Sequence, residues 1–397
     1  MPNITFSNGL PSIDINLGKN SKTLPVILDI SSLLLWVKQS DHQGSSGYNP
    51  SVSGNTTNIT FEFTNTLGGT ASGLFYKDQF SFGNTSVTEV EFGVATSTSS
   101  NLDEITGVFG LGRNYDDLKN EYKNLTNKRN IIAELNQQKI LEKNIFSLKL
   151  DLDSESYFFA GDYANETLKR SSSGYCSLLT ENNEKMKHHY GCQLTHIILG
   201  DNTAESFKKH AHELNSKVYF DSTSSTLKCP LLMRDIILNK TGTYEICHEV
   251  EYDNIHTLEC MPHESFYDLS FVFNGYAFKI NNEDLFFSNG TMNVDFVDQD
   301  YFVLGLPFLK NYHTVFDNEQ DILIFWNADK TKIGNVRRYT DEKSLFFSEY
   351  RGTVIFGVLV FIGLIVYGVL RFILKKKNQN QQAVSKMDTD QVEPFMA

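Results

Sequence analysis

The chain has 397 residues, 40% of them hydrophobic, enough for one large or two medium domains with sizeable cores. A formal net charge of −13 argues against nucleic acid as a partner and against electrostatic binding to a membrane surface. Five cysteines without a C-x-x-C pair argue against a structural zinc site, and no metal or other cofactor is expected.

The chain opens on MPNITFSNGLPSIDIN, which lacks the apolar stretch of a signal peptide. VILDISSLLLWV (26–37) is a strand-like apolar run that ends in a carboxylate, Asp29, followed at once by Ser31 and Ser32. SVSGNTTNIT (51–60) is a polar loop, and TSVTEVEFGVAT (85–96) alternates as a strand does. GVFGLG (107–112) has the glycines of a nucleotide loop but no downstream support for one, so it is read as core. KRNIIAELNQQKILEKN (128–144) spaces Ile131, Ile132, Leu135, Ile140 and Leu141 as a helix among strong helix formers.

SYFFAGD (156–162) reads as a strand, and the polar run LKRSSSG (168–174) marks a boundary. Cys176 and Cys192 flank a polar turn, TENNEKMKHH, and can staple a hairpin. His210 and His212 lie in AESFKKHAHELNSK (204–217), a predicted surface helix rather than a metal site. VYFDSTSSTLKCP (218–230) repeats the first pattern: apolar run, Asp221, then Ser222, Thr223 and Ser224. DLSFVFNGYAFKI (268–280) is strand-like.

Residues 353–370 carry no charge and continue, past Arg371, into Phe372, Ile373 and Leu374 before Lys375, Lys376 and Lys377. That length predicts a transmembrane helix over 353–374, with a stalk at 341–352. The basic cluster places the tail 375–397 in the cytosol and the large N-terminal part in the lumen or outside. The expectation is a single-pass type I membrane protein of the secretory pathway, vacuole or lysosome, or cell surface. Asn3, Asn55, Asn58, Asn84, Asn124, Asn165, Asn239 and Asn289 each begin a glycosylation triplet, and none lies beyond the span. Such a topology calls for a signal peptide, which leads to the expectation of an incomplete 5′ end of the gene. A protein without a propeptide is the other option.

The two Asp segments are halves of an internal duplication. Gly110 follows Asp29 by 81 residues in Val-Phe-Gly, and Gly305 follows Asp221 by 84 residues in Val-Leu-Gly. Two carboxylates from equivalent half-structures are what a shared-proton, water-activating hydrolase needs.

At these residues the chain resembles the pepsin-like aspartic proteases, over about residues 10–330. The first Asp segment matches that family's catalytic segment at Asp29, Ser32, Leu35, Trp36 and Val37, and the second at Asp221, Ser222, Ser224 and Ser225. ITGVFGLG (105–112) is similar to the family's DGILGLG, and YFVLGLPFLKNYHTVFD (301–317) to its most specific run. SIDINLG (12–18) resembles the N-terminal strand and SGLFYKDQFSFGN (72–84) the strand pair after the active-site flap.

The resemblance implies an all-β, bilobal fold plus the transmembrane helix, with an N-terminal lobe over 1–170 and a C-terminal lobe over 171–340. It implies Asp29 and Asp221 as the catalytic pair, supported by Ser32, Ser222, Ser224, Trp36, Gly110 and Gly305, with Ser32 and Ser224 orienting the outer carboxyl oxygens. A peptide or protein substrate in the inter-lobe cleft is the implied partner. Cys260 stands where the family has the first cysteine of its C-lobe bridge, and its partner here is Cys247 or Cys229.

Four departures accompany the match. Ser31 and Thr223 replace the glycines that close the two catalytic triplets, and Ile30 replaces a Thr that cross-links the loops. FEFTNTLGGTASG (61–73), at the flap, contains no Tyr. A side chain is expected to hinder the tight turn that brings backbone N–H groups to each carboxylate. The leading expectation is a membrane-anchored aspartic endopeptidase; the alternative is an inactive pseudo-protease that keeps the cleft for binding.

Overall fold

The computed structural model describes residues 2–40, 47–64, 68–85, 87–113, 129–150, 155–162, 173–180, 186–200, 211–240, 247–252, 255–260, 268–280, 282–327, 335–339, 361–362 and 364–376. The chain divides into two compact units, Met1–Tyr339 and Thr340–Ala397. Runs of Val, Ile, Phe and Thr broken by Gly and Asn turns make the first unit mostly strand.

Eight strands form the first sheet: β1 (Thr5–Ser7), β2 (Leu10–Leu17), β3 (Lys22–Asp29), β4 (Leu35–Lys38), β5 (Asn55–Thr64), β6 (Thr70–Phe82), β7 (Thr88–Thr98) and β8 (Gly107–Gly110). Their order is β1-β2-β3-β8-β4-β7-β6-β5. The segment 72–84 is thus part of one long strand, β6, paired with the flap strand β5, and not a strand pair of its own.

β9 (Ile145–Lys149), β10 (Tyr157–Ala160) and β11 (Ser173–Ser177) join β21 (Tyr312–Asp317) and β22 (Ile322–Asn327) in a five-stranded sheet, ordered β10-β9-β21-β22-β11. Phe146 on β9 stacks on Phe316 on β21 with ring centroids 4.5 Å apart. The third sheet has ten strands: β12 (Tyr190–Leu199), β13 (Ala211–Phe220), β14 (Leu227–Pro230), β15 (Cys247–Tyr252), β16 (Ile255–Cys260), β17 (Leu269–Phe273), β18 (Tyr276–Ile280), β19 (Val294–Val297), β20 (Tyr301–Leu304) and β23 (Val336–Arg338). Phe220, Phe273, Phe278, Phe308, Tyr312 and Phe325 pack ring against ring at its base, which fixes the end of β13.

The duplication appears as matched strand order. β3 runs parallel to β8, with Asp29 opposite Gly110, and β8 is antiparallel to β4, which is parallel to β7. β13 runs parallel to β20, with Phe220 opposite Leu304; β20 is antiparallel to β14, which is parallel to β19. Each Asp therefore leaves the sheet at the end of a strand whose parallel neighbour carries the apolar-apolar-Gly signal.

Other expectations also differ from what is seen: of the polar loop expected at 51–60, residues 51–53 end a short helix, Pro50–Ser53, and residues 55–60 begin β5, whose polar side chains face outward in alternation. The helix over 128–144 is confined to Ile131–Gln137: Asn130 caps it by accepting from the Ala133 amide at 2.9 Å, and Lys139 turns the chain at φ +60°. In the predicted surface helix 204–217, residues from Ala211 onward belong to β13, because alternating half-buried positions pair with β12 and β20 there; His210 lies outside the described residues. Helix Leu231–Lys240 was not anticipated. Its neighbour β14 ends at Pro230, which leads directly into the first helical turn.

In the second unit, Phe361, Ile362 and residues 364–376 are helical, and apolar side chains on every side are exposed, from 51% at Ile362 to 69% at Phe372. Among the described residues no helix is long and apolar enough to cross a membrane. Residues 353–360 and 363 of the predicted span, the stalk 341–352 and the tail 377–397 lie outside the described residues.

Candidate active site

Asp29 and Asp221 are each 1% exposed; Asp29 is the last residue of β3 and Asp221 directly follows β13. Leu111 N donates to the backbone carbonyl of Asp29 at 2.7 Å, and Asp221 N to that of Leu304 at 3.1 Å, so the main chain of each Asp is tied to a residue next to its glycine. A Cβ on Gly110 would meet the Leu33–Leu34 peptide at 2.5 Å, and one on Gly305 would collide with the carbonyls of Thr226 and Ser224. Both glycines are needed because another loop's backbone passes over them.

Among the described residues, the Ser222 side chain ties the two loops together. The Ser222 hydroxyl donates to Leu28 O at 2.7 Å and accepts from Ile30 N at 3.1 Å. Ile30, in place of a reciprocal hydroxyl, is fully buried in the core.

Ser31 and Thr223 do not hinder the turn. The Ser31 amide reaches Asp29 Oδ1 at 2.7 Å and the Thr223 amide reaches Asp221 Oδ1 at 2.8 Å. Neither residue has a positive φ, so no left-handed backbone excludes a side chain there. Each adds a hydroxyl donor to the same oxygen: Ser31 Oγ at 2.5 Å and Thr223 Oγ1 at 2.7 Å.

Of the two serines expected to orient outer oxygens, Ser224 is placed differently. Ser224 Oγ donates to Thr226 O at 2.9 Å. The buried Ser32 hydroxyl faces the Asp29 carboxyl without meeting hydrogen-bond geometry, and Asp29 Oδ2 has no hydrogen-bond partner among the described residues. Burial, then the negative charge of Asp221, push the Asp29 pKa up to about 6, while the Ser31 and Ser32 hydroxyls and the Ser31 amide pull it down.

His189 was missed in the sequence, where it closes the polar turn before β12. It is 3% exposed with Nε2 4.0 Å from Asp221 Oδ2. Burial holds its pKa below the usual imidazole range, against the pull of Asp221 and with the help of the Lys228 charge. A His-His pair just ahead of a buried strand was the available signal.

Over the first loop, β5 and β6 form the flap hairpin, with residues 65–67 outside the described residues. Trp36 is fully buried and its ring lies 5.3 Å from that of Phe63 on β5. The Trp36 indole N–H has no hydrogen-bond partner among the described residues, consistent with a Phe and not a hydroxylated ring beside it.

Cys176 on β11 bonds to Cys192 on β12, joining the five-stranded and ten-stranded sheets where a hairpin staple was expected. Cys247 bonds to Cys260 directly across β15 and β16, and Cys229 is a buried free thiol. Asn3, Asn55, Asn58, Asn84, Asn239 and Asn289 are exposed; Asn124 and Asn165 lie outside the described residues. Among the described residues no cluster of three or more His, Cys, Asp or Glu is placed to hold a metal.

Two buried acids in mirrored loops, each held through Oδ1, define an aspartic-protease-type site. The family model for eukaryotic aspartyl protease matches residues 12–326, and the chain belongs to that family. Vacuolar protease A of Aspergillus fumigatus is 26% identical over 337 residues, 79% of this chain and 77% of that protein. Candidapepsin-3 of Candida albicans is 31% identical over 153 residues, 35% of this chain, so the match spans only about a third (36%) of that relative's length. The crystal structure of aspartic proteinase from Irpex lacteus superposes with a TM-score of 0.65 at 17% identity, covering 84% of this chain and 98% of that one, a likeness of fold.

Proposed function

We propose that the protein is a membrane-anchored aspartic endopeptidase that hydrolyses peptide bonds with Asp29 and Asp221 sharing one proton. The observation that carries this reading is the pair itself: burial and the charge of Asp221 raise the proton affinity of Asp29, so one proton stays on the pair well above the pH at which a free Asp releases it. The ionised member takes a proton from the attacking water, and the protonated one polarises the scissile carbonyl and then protonates the leaving amine. The inactive alternative rests on Ser31 and Thr223 together with Ile30, a flap without Tyr and the option of a protein without a propeptide; of these, Ser31 and Thr223 each give their carboxyl two donors.

An extended peptide is the substrate, bound under the β5–β6 hairpin by strand-like hydrogen bonds. Support for the anchor comes from the exposed apolar helix at 361–374, which has no solvent rationale, and from the lysines that follow it. The N-terminal unit then faces the lumen or exterior of a secretory compartment, where the exposed sequon asparagines carry glycans.

The test is hydrolysis of an unfolded protein at acid pH by the full chain. Cleavage is expected in the wild type and absent in Asp29→Asn and Asp221→Asn alike; cleavage surviving both substitutions overturns the mechanism. Glycosidase treatment is expected to shift the protein's mobility, and protease protection of the C-terminal tail in sealed vesicles, in place of the N-terminal unit, reverses the topology.

A further inference from the structure

The residues that replace glycine at the end of each triplet do more than fit. Ser31 is 7% exposed and Thr223 5%, and each directs its hydroxyl at Oδ1 of the Asp two residues before it. The arrangement recurs in both halves of the duplication, on the same atom of each carboxyl. Oδ1 of each acid accepts two donors from its own loop, one N–H and one O–H. An ionised carboxylate is acceptor-only, so a donated hydroxyl favours the charged form over the neutral one.

We propose that Ser31 and Thr223 are positioning residues that hold Oδ1 of each carboxyl as an acceptor, so that the pair keeps a single shared proton down to a lower pH than its burial alone permits. The inference rests on the reading of Asp29 and Asp221 as a proton-sharing pair. With Oδ1 engaged twice on each side, the exchangeable proton resides on an Oδ2 atom. On the first side that leaves Asp29 Oδ2, which has no hydrogen-bond partner among the described residues, and on the second Asp221 Oδ2 faces His189.

Other ionisable groups bear on the pair from separate elements. Asp221 raises the proton affinity of Asp29; His189, at the start of β12, lies beside Asp221; Lys228 on β14 depresses His189. None of these is altered when a hydroxyl is removed from Ser31 or Thr223, so the effect of the hydroxyl is separable.

The experiment compares Ser31→Ala and Thr223→Val, which lose the hydroxyl, with Ser31→Thr and Thr223→Ser, which keep it, in the full chain. Both limbs of the pH profile of kcat/KM are expected to move upward by about one pH unit in either hydroxyl-less variant and to stay in place in the conservative ones. Limbs that stay in place while the rate falls assign the residues a merely structural role and overturn the proposal. Infrared titration of the protonated-carboxyl stretch, assigned with Asp29→Asn and Asp221→Asn, gives the same midpoints without turnover. Midpoints that rise in a chain lacking peptidase activity leave this inference standing and sink the proposed function; unchanged midpoints overturn it whatever the activity.

Discussion

Replacing Asp29 by Asn is expected to stabilise the fold at neutral pH. In the folded protein the Asp29 pKa is about 6, against 3.8 for an unperturbed Asp. Between those values the unfolded chain gives up the proton and the folded chain retains it. The stability that the neutral carboxyl provides is therefore complete below pH 3.8 and is lost as pH rises through 6. A gap of about two units corresponds to about 3 kcal/mol. Asn has no charge to bury and still offers Oδ1 to both donors of Ser31. Guanidinium unfolding followed by tryptophan fluorescence is the assay, since Trp36 is fully buried beside the site. The variant is expected to exceed the wild type by about 3 kcal/mol at pH 7.5 and to match it near pH 3. No gain at pH 7.5, or an equal gain at both values, refutes the claim that desolvation and Asp221 strain this carboxyl.

Three further outcomes follow from other parts of the fold. Burial and then Lys149 hold the pKa of His313 at about 3, below its usual 6.5, so the unfolded chain binds a proton first and stability falls as pH drops through that interval; His313→Phe should flatten this acid slope in a pH series of unfolding midpoints. Cys229 is fully buried with its thiol pKa pushed up, so an aromatic disulfide reagent should find no reactive thiol in the native protein and one after denaturation without reductant; a native reaction contradicts the packing around β14. Gly305→Ala should cost several kcal/mol, on the order of 3 or more, because the backbone carbonyls of Ser224 and Thr226, in the loop that follows Asp221, occupy the space a Cβ needs; a melting temperature within about 2 °C of wild type refutes the close approach.

The parts legible in the sequence were those specified by local pattern. Strand–Asp–hydroxyl repeats and the two glycine signals located both halves of the site, because only glycine permits the backbone crossings at Gly110 and Gly305. What the sequence did not reveal depends on contacts between distant segments. His189 meets Asp221 only when β12 and β13 pair, and the polar run around it offers no signal beyond the His-His pair itself. The Ser31 and Thr223 turns looked strained because glycine was taken to mean a turn too tight for a side chain, whereas neither residue has a positive φ and both amides still reach their carboxyl. Helix 128–144 was overextended because apolar spacing persists past Lys139, where the backbone, not the pattern, ends the helix.

The five-stranded sheet sets an order on how this protein is made. β9 and β10 precede their central partner β21 by well over a hundred residues, and β11 pairs only with β22. As the chain leaves the ribosome, the inner edge of β9 and one edge of β11 therefore stay open until residues 312–327 have emerged. Open edges of this kind recruit other strands, and closing them over such a distance is slow. A chain cut short before β21 leaves both halves of the internal duplication synthesised over a sheet whose central strand is missing. Quality control acting on such truncated chains would find its signal at the β9 edge rather than in either half of the site.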